Sequence, residues 1–242
     1  MRNVRRAVCV LALLPIAAAA QGTLSTQGLG FPPGQLSTAA RSTGGAIGEI
    51  DPYSPLNPAA IGSLTTAIVM MQAEPEYRTV QIGAASHRTS VARFPLFQGA
   101  LPLGSRWAIG FSASTLLDRT WETTTRDSQT VPEMIRSTLV ERSDGSIADL
   151  RFALAFSPAE WFRIGVAGHA YTGRDQIRII RAFDDSARFA ADTQGTTLSF
   201  GGNAVSFGAL ATRARLGVIG VSYRKGSGIS TEAGGATVSS AT

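Results

Sequence analysis

The sequence predicts an all-β protein: an antiparallel transmembrane β-barrel, incomplete at about seven to eight strands, with an irregular N-terminal plug segment. Three glycines, Gly110, Gly165 and Gly220, recur at a spacing of 55 residues in similar short segments, each preceded by a turn signal. A fixed spacing of this kind indicates one supersecondary unit used repeatedly. Two other observations predict this fold: apolar residues alternate along each unit, and the connections between strands alternate in length.

Residues 1–20 predict an export signal. Three arginines precede an apolar run that ends at Ile16, and small residues lead up to Ala20. The run is too short to span a bilayer as a helix, and the order of charge, apolar run and small residues is typical of a cleaved signal. We therefore expect the mature chain to begin at Gln21.

Composition excludes several classes of function. Without the three signal arginines, the formal charge falls from +5 to +2, with 19 basic residues scattered among 17 acidic ones. Nucleic acid is therefore not an expected partner. Cys9, the only cysteine, lies in the predicted signal, so we expect no disulfide, no cysteine-based zinc site and no thiol nucleophile. The sequence predicts no metal site and no cofactor.

After an irregular, Gly-, Pro- and Ser-rich segment at 21–62, the remaining chain, 63–242, alternates with the period of a β-strand. No run of 18 apolar residues follows residue 20, so a membrane helix is not expected. The predicted strands are 64–73, 91–101, 107–117, 147–157, 162–169, 204–211 and 218–224, and an eighth near 229–238 is an alternative.

Alternation by itself does not decide which face of a strand meets water, and a soluble β-sandwich or lipocalin-like barrel is the alternative fold. The face opposite the large apolar residues carries mainly Gly, Ala and Ser, whereas a water-facing sheet is richer in Thr, Lys, Glu and Gln. In a membrane barrel, the apolar row faces lipid and the other row faces the lumen. We therefore expect Leu150, Phe152 and Leu154 to face outward.

The connections between the predicted strands alternate in length. Tight turns near 102–106, 157–160 and 212–215 alternate with long connections at 118–146 and 173–195. Short turns at one end and long loops at the other are typical of outer-membrane barrels. Tryptophans begin two strands at the short-turn end, where an interfacial aromatic girdle lies in such proteins. The asymmetry favours the membrane fold.

The segment just before the first predicted strand carries a recognisable motif. A Gly-Gly-Ala stretch at 44–46 precedes Asp51 and an Asn-Pro-Ala motif at 57–59. This segment resembles the hatch-to-first-strand region of the long-chain fatty-acid transporter superfamily, to which the type IX secretion shuttle proteins are similar. The resemblance implies a larger outer-membrane barrel with residues 21–62 folded inside as a plug. Because the chain supplies too few strands for that barrel, we expect a truncated member.

The resemblance also implies a function: passive uptake of a hydrophobic small molecule across the outer membrane, with membrane lipid as the surrounding partner. The alternative is a binding or shuttle component of a protein secretion system, with secretion proteins as partners. Uptake predicts an apolar pocket that leads from the 118–146 connection into the lumen. The residues expected at the plug junction or along the ligand path are Asn57, Pro58, Asp149, Arg151, Arg163 and His169.

A Ser–His–Asp hydrolase is a third hypothesis. His169 is predicted on the lumen face with Ser112 and Asp149 on nearby strands, and these residue types can form a nucleophile, a base and an orienting carboxylate. No nucleophile-elbow motif accompanies them. We therefore favour a histidine held by its neighbours and predict no enzymatic activity. The sequence also predicts a loop around His87 and a short amphipathic helix at 131–140.

Overall fold

The computed structural model describes residues 30–82, 85–130, 134–213, 217–234 and 237–240. Within these ranges the chain forms one antiparallel sheet and two short helices, which confirms the all-β fold class. The predicted export signal lies outside the described residues. No helix in the described ranges is long and apolar enough to cross a membrane.

The plug segment contains helix α1 and a 3-10 helix, and the strands follow. The bounds are α1 Thr38–Ser42, the 3-10 helix Ala60–Ser63, β1 Ile68–Ile82, β2 Ala85–Leu103, β3 Trp107–Asp118, β4 Trp121–Thr130, β5 Met134–Ala159, β6 Phe162–Phe183, β7 Asp192–Arg213, β8 Gly217–Ala233 and β9 Thr237–Ser240.

The sheet follows the path β1-β2-β3-β5-β6-β7-β8, and each neighbouring pair is antiparallel. β4 pairs with the first half of β5, and β3 pairs with its second half. β3 and β4 therefore lie end to end along the same side of β5. β9 pairs with the start of β7. Among the described residues, β1 and β8 do not pair with each other, so the sheet is open, which is consistent with an incomplete barrel.

The strands are longer than the sequence predicts. Most of the predicted loops at 118–146 and 173–195 form strand, because β4, β5 and β6 extend beyond the apolar region and pair there. Polar residues on both faces of these extensions carry no period-two signal, yet the ladder satisfies their backbone groups. The helix predicted at 131–140 is wrong for its described part, 134–140, which pairs with β4 and β6.

Two smaller predictions are also corrected. His87 lies in β2, where it pairs in register with Val80, and not in a loop. The separate strand predicted near 229–238 is wrong: β8 continues to Ala233, and β9 begins at Thr237. β8 extends to Ala233 because its hydrogen bonding to β7 continues past the glycines at which the apolar alternation fades.

Burial along β5 shows which face is which. Phe152 is 60 % exposed and Leu150 is 37 % exposed, whereas Asp149 and Arg151 between them are almost fully buried. The expectation that the large apolar row faces outward is therefore confirmed. The inner face, defined here as the face that contacts the plug segment, carries small and ionic residues.

The sheet curves around the plug segment. The 3-10 helix contacts β2, β3, β5, β6 and β7. Five adjacent strands span about 19 Å at ~4.8 Å per spacing, whereas a four-residue 3-10 helix is only ~8 Å long. One helix can contact all five strands only if the sheet is concave. We call the sheet that surrounds the plug segment the wall. Ile61 of the 3-10 helix packs against wall alanines such as Ala153 and Ala167, so the core lies between plug and wall.

Candidate functional site: the interface between plug and wall

The plug segment is organised around a buried carboxylate. Asp51 accepts hydrogen bonds from the hydroxyls of Ser37 (2.5 Å) and Ser54 (2.6 Å) and from the backbone N–H of Tyr53 (3.1 Å). Ser54 Oγ also accepts from the backbone N–H of Ser37. These bonds join parts of the segment that are 14 to 17 residues apart. The plug segment therefore has internal structure of its own.

Asn57 joins the plug segment to the wall. Its side chain is fully buried, and its Nδ2 donates to the carbonyl of Glu49 (2.8 Å) within the plug and to the carbonyl of Ala209 (3.1 Å) in β7. Its Oδ1 accepts from the backbone N–H of Ala59 (2.9 Å). A carboxylate could not donate to two carbonyls, so only an amide satisfies this position.

The glycines that repeat every 55 residues lie against the plug segment. A Cβ at Gly165 would lie 2.7 Å from the carbonyl oxygen of Pro58, and one at Gly220 would lie 2.9 Å from the carbonyl carbon of Glu49. A Cβ at Gly110 would lie 3.1 Å from Ile61 Cδ1. The absence of side chains allows the plug backbone to approach the wall.

Further polar contacts hold the plug segment along several strands. Gln98 of β2 donates to the carbonyl of Pro52 (2.6 Å), and Arg163 of β6 donates to the carbonyl of Gly62 (3.1 Å). Ser222 of β8 donates to the Glu49 carboxylate (3.0 Å). Side chains of three strands thus bond to the plug segment, two of them through its backbone carbonyls.

Asp149 is the hub of a buried polar cluster. Its carboxylate accepts from the plug residue Gln35 (2.7 Å), which also donates to Ser114. Arg224 of β8 donates to the same carboxylate (3.2 Å). Nδ1 of His169 lies 2.9 Å from Asp149 Oδ1. Because an ionised carboxylate only accepts, Nδ1 carries the proton in this arrangement.

The other ring nitrogen of His169 contacts a serine that the sequence analysis did not select. Nε2 lies 2.9 Å from Ser206 Oγ on β7. In the neutral ring with its proton on Nδ1, Nε2 accepts from the Ser206 hydroxyl. The predicted partner, Ser112, instead lies opposite Arg151 in the register of β3 and β5, and its hydroxyl has no hydrogen-bond partner in the described part of the chain.

Arg151 is 2 % exposed, and its Nε and Nη2 have no hydrogen-bond partner among the described residues. It lies directly opposite His169 in the register of β5 and β6. Buried charges normally have partners, so unpartnered guanidinium donors beside a histidine are unusual. Sequence reasoning placed Arg151 on the inner face but could not show that it lacks an acceptor there.

A cavity of about 470 Å³ lies where the plug segment meets β1 and β2. Glu74, Glu76, Arg41 and Arg93 line it. Its lining is largely charged, so this cavity is not the apolar pocket that the sequence predicted. Around the 3-10 helix, the wall contacts the plug directly. The apolar pocket expected from the 118–146 region stays a prediction.

The structure brings most of the predicted site residues together at this interface. Asn57 and Pro58 contact β7, Asp149 and His169 share a hydrogen bond, and Arg163 lies nearer the short turns. Sequence reasoning missed Gln35, Ser206 and Arg224. Ser206 could have been selected from the sequence, because it lies on the non-apolar face of the sixth predicted strand. The described residues contain no group of three potential ligands that could hold a metal ion.

No family model, curated protein or solved structure matches this chain. The resemblance seen at 41–61 therefore stays a prediction from sequence.

Proposed function

We propose that this protein is an outer-membrane barrel protein that admits hydrophobic small molecules when its plug segment moves. The single observation that carries the proposal is the distribution of side chains across the sheet. Exposed Phe, Trp, Ile and Val side chains cover the outer face, while buried small and ionic ones contact the plug segment. A water-soluble protein normally has the reverse distribution.

The height of the outer apolar band supports a membrane location. On β5, the five outward positions from Ala148 to Phe156, which span nine residues, are apolar, and the outward positions become polar at Ser146 and Asp144. A transmembrane strand needs about 9–11 residues. On β6, apolar outward residues likewise give way to Thr172 and Arg174.

Aromatic residues mark the short-turn border of the band. Trp107 and Phe156 lie with ring centroids 4.4 Å apart, and Trp161 and Phe162 lie 5.5 Å apart. Both tryptophans are about half exposed or more, at 47 % and 61 %. Amphipathic rings at this level are typical of the interface between lipid and water.

The plug segment is suited to act as a gate. The wall beneath it is lined by small residues, among them Ala155, Ala167 and Gly165, which the plug residues Pro58, Ala59 and Ile61 now cover. If the plug segment moves, an apolar trough opens along the wall. A hydrophobic solute then gains the contacts that the plug residues release.

A reversible lock on the plug segment tests the proposal. Ile61 Cγ2 lies 3.7 Å from the Cβ that residue 110 would carry, so the pair Ile61→Cys and Gly110→Cys links plug to wall. The matched control is the pair Ala204→Cys and Gly226→Cys, whose Cβ atoms would lie 3.6 Å apart and which links β7 to β8 only. Both variants are compared in proteoliposomes with the lipophilic dye N-phenyl-1-naphthylamine.

We expect oxidation to stop dye entry through the plug-to-wall variant and a reductant to restore it, while the control pair shows no redox dependence. Equal dye entry through the oxidised and reduced plug-to-wall variant contradicts gating by the plug. Recovery of the protein in the aqueous fraction without detergent contradicts the membrane location itself.

A further inference from the structure

We infer that Ser206, His169 and Asp149 form a serine hydrolase site for lipophilic carboxylic esters, covered while the plug segment is in place. The inference depends on the plug movement proposed above but assigns a separate activity. It differs from the sequence hypothesis in its nucleophile, because Ser112 makes no bond to the histidine and Ser206 does.

The three side chains have the connectivity that nucleophilic catalysis needs. Ser206 Oγ lies 2.9 Å from His169 Nε2, and His169 Nδ1 lies 2.9 Å from Asp149 Oδ1. Both contacts fall within the ~2.6–3.2 Å range expected of a nucleophile, its base and the group that orients the base. The residues lie on the adjacent strands β5, β6 and β7, so the sheet holds them in register.

The state of the carboxylate suits the same role. Gln35, Arg224 and His169 all direct donors at Asp149, which stabilises its ionised form. The ionised carboxylate fixes the His169 tautomer that accepts the Ser206 proton.

Unpartnered donors for a developing oxyanion are also present. Arg151 lies opposite His169 across the β5–β6 pair, and its Nε and Nη2 have no acceptor in the described chain. A guanidinium held in a buried site stabilises negative charge that forms in a transition state. This assigns a use to two buried guanidinium donors that have no hydrogen-bond partner among the described residues.

The surroundings of Ser206 indicate the substrate class. The buried Ala167 lies opposite Ser206 in the register of β6 and β7. Gly208, two residues further along the same inner face as Ser206, contacts the plug residues Asn57 and Pro58. Ser206 itself is fully buried. Movement of the plug segment exposes the hydroxyl at the end of an apolar trough, which fits an ester with a flexible acyl chain.

The reaction balances with water as the only co-reactant. Ser206 Oγ attacks the ester carbonyl while His169 Nε2 takes the hydroxyl proton, and that proton then passes to the leaving alkoxide to release the alcohol. Water next attacks the acyl-serine and gives a proton to His169. Release of the carboxylic acid returns the proton to Ser206.

The test labels the full-length protein in detergent micelles with a fluorophosphonate probe, which reacts with activated serines. We expect labelling of the wild type, loss of labelling in Ser206→Ala, and a rate lowered about 100-fold or more in His169→Ala. Ser112→Ala is the matched control, because Ser112 is equally buried on the inner face. Its labelling is expected to equal that of the wild type.

A second variant reports access independently of reactivity. Maleimide modification of Ser206→Cys shows whether reagents reach this position, and p-nitrophenyl octanoate is expected to be hydrolysed with a kcat/KM about 10-fold or more above that of the acetate. If Ser206→Cys reacts with maleimide but the wild-type serine is not labelled, the hydrolase site is wrong. If Ser206→Cys never reacts, the site never opens and the inference is equally overturned.

The results separate this inference from the uptake proposal. Redox-gated dye entry without serine labelling contradicts the hydrolase and leaves uptake standing. Labelling of Ser206 without gated dye entry supports the hydrolase and contradicts uptake.

Discussion

Asn57 occupies the space beside Gly208 in which the side chain of any other residue at position 208 would lie. A Cβ at residue 208 would overlap Asn57 Oδ1 and lie 2.8 Å from Pro58 Cδ. The same asparagine bonds to the carbonyl of Ala209, one residue further along β7. Gly208 thus leaves room for Asn57, and the carbonyl of Ala209 accepts a hydrogen bond from it, so these two wall residues together hold the plug segment.

Gly208→Ala is expected to displace the tip of the plug segment, because Asn57 must move away from the added methyl group. Overpacking of this kind costs about 1–3 kcal/mol. Hydrogen exchange should therefore quicken at the amides of Ala60 and Gly62, which bond within the plug segment. Gly168→Ala is the control, since a Cβ at residue 168 would meet nothing within 4 Å. Unchanged protection in Gly208→Ala would show that the contact does not hold the plug.

Asn57→Ala is expected to weaken the same region through lost hydrogen bonds. The variant removes the hydrogen bonds of the Asn57 side chain to the amide of Ala59 and to the carbonyls of Glu49 and Ala209, at a cost of about 2 kcal/mol. That cost corresponds to about 30-fold faster exchange of the plug amides. Asn203→Ala, at an exposed position of β7, provides the comparison. Equal exchange in the two variants contradicts the role given to Asn57.

Phe152→Arg is expected to destabilise the protein in lipid vesicles by about 2–4 kcal/mol, because it places a cation in the middle of the outer apolar band. Thr172→Arg, on the outer face of β6 beyond the band, should cost less than ~1 kcal/mol. Urea unfolding followed by tryptophan fluorescence measures both. In a soluble protein, arginine at the 60 % exposed position 152 would be nearly neutral, and that result contradicts the lipid-facing assignment.

Arg93→Met is expected to be strongly destabilising. Arg93 of β2 pairs with Asp118 and Glu76 beneath the ring of Phe31, and its side chain is buried. Loss of the cation leaves the buried Asp118 carboxylate without this partner, at a cost of about 3–5 kcal/mol. The double variant with Asp118→Asn should recover part of that loss.

Arg142→Met is the matched control for this ion pair. Arg142 is exposed and lies 3.5 Å from Asp144, a pairing worth at most ~1 kcal/mol. If the two arginine variants unfold at the same urea concentration, the buried pair does not stabilise the sheet as proposed.

Much of the fold could be predicted from local patterns. The alternation in β3 and β5 identified which residues share a face, because each strand carries its own contrast between large apolar and small residues. The extensions of β4, β5 and β6 could not be predicted in this way. Both of their faces mix polar and apolar residues, so they carry no contrast, and their backbone pairing depends on neighbours that are distant in sequence.

The candidate site shows the same division. Sequence patterns placed Asp149, Arg151 and His169 on one face, but the register between strands selected the serine. Ser112 and Ser206 are chemically equivalent in the sequence, and only the pairing of β6 with β7 brings Ser206 to the histidine. The contribution of Gln35 requires the plug segment to fold back over 114 residues, which no local pattern reports.

The sequence by itself determined the fold class, the apolar face of each strand and the positions of the repeated glycines, since these depend on residue type and spacing within one short segment. Only the tertiary structure showed why Gly110, Gly165 and Gly220 repeat: each lies where the plug approaches the wall. The tertiary structure also decided which polar groups have hydrogen-bond partners. Nε and Nη2 of Arg151 have none among the described residues. The physical reason is that alternation records burial along a single strand, whereas close approach and hydrogen bonding depend on register between segments far apart in the chain.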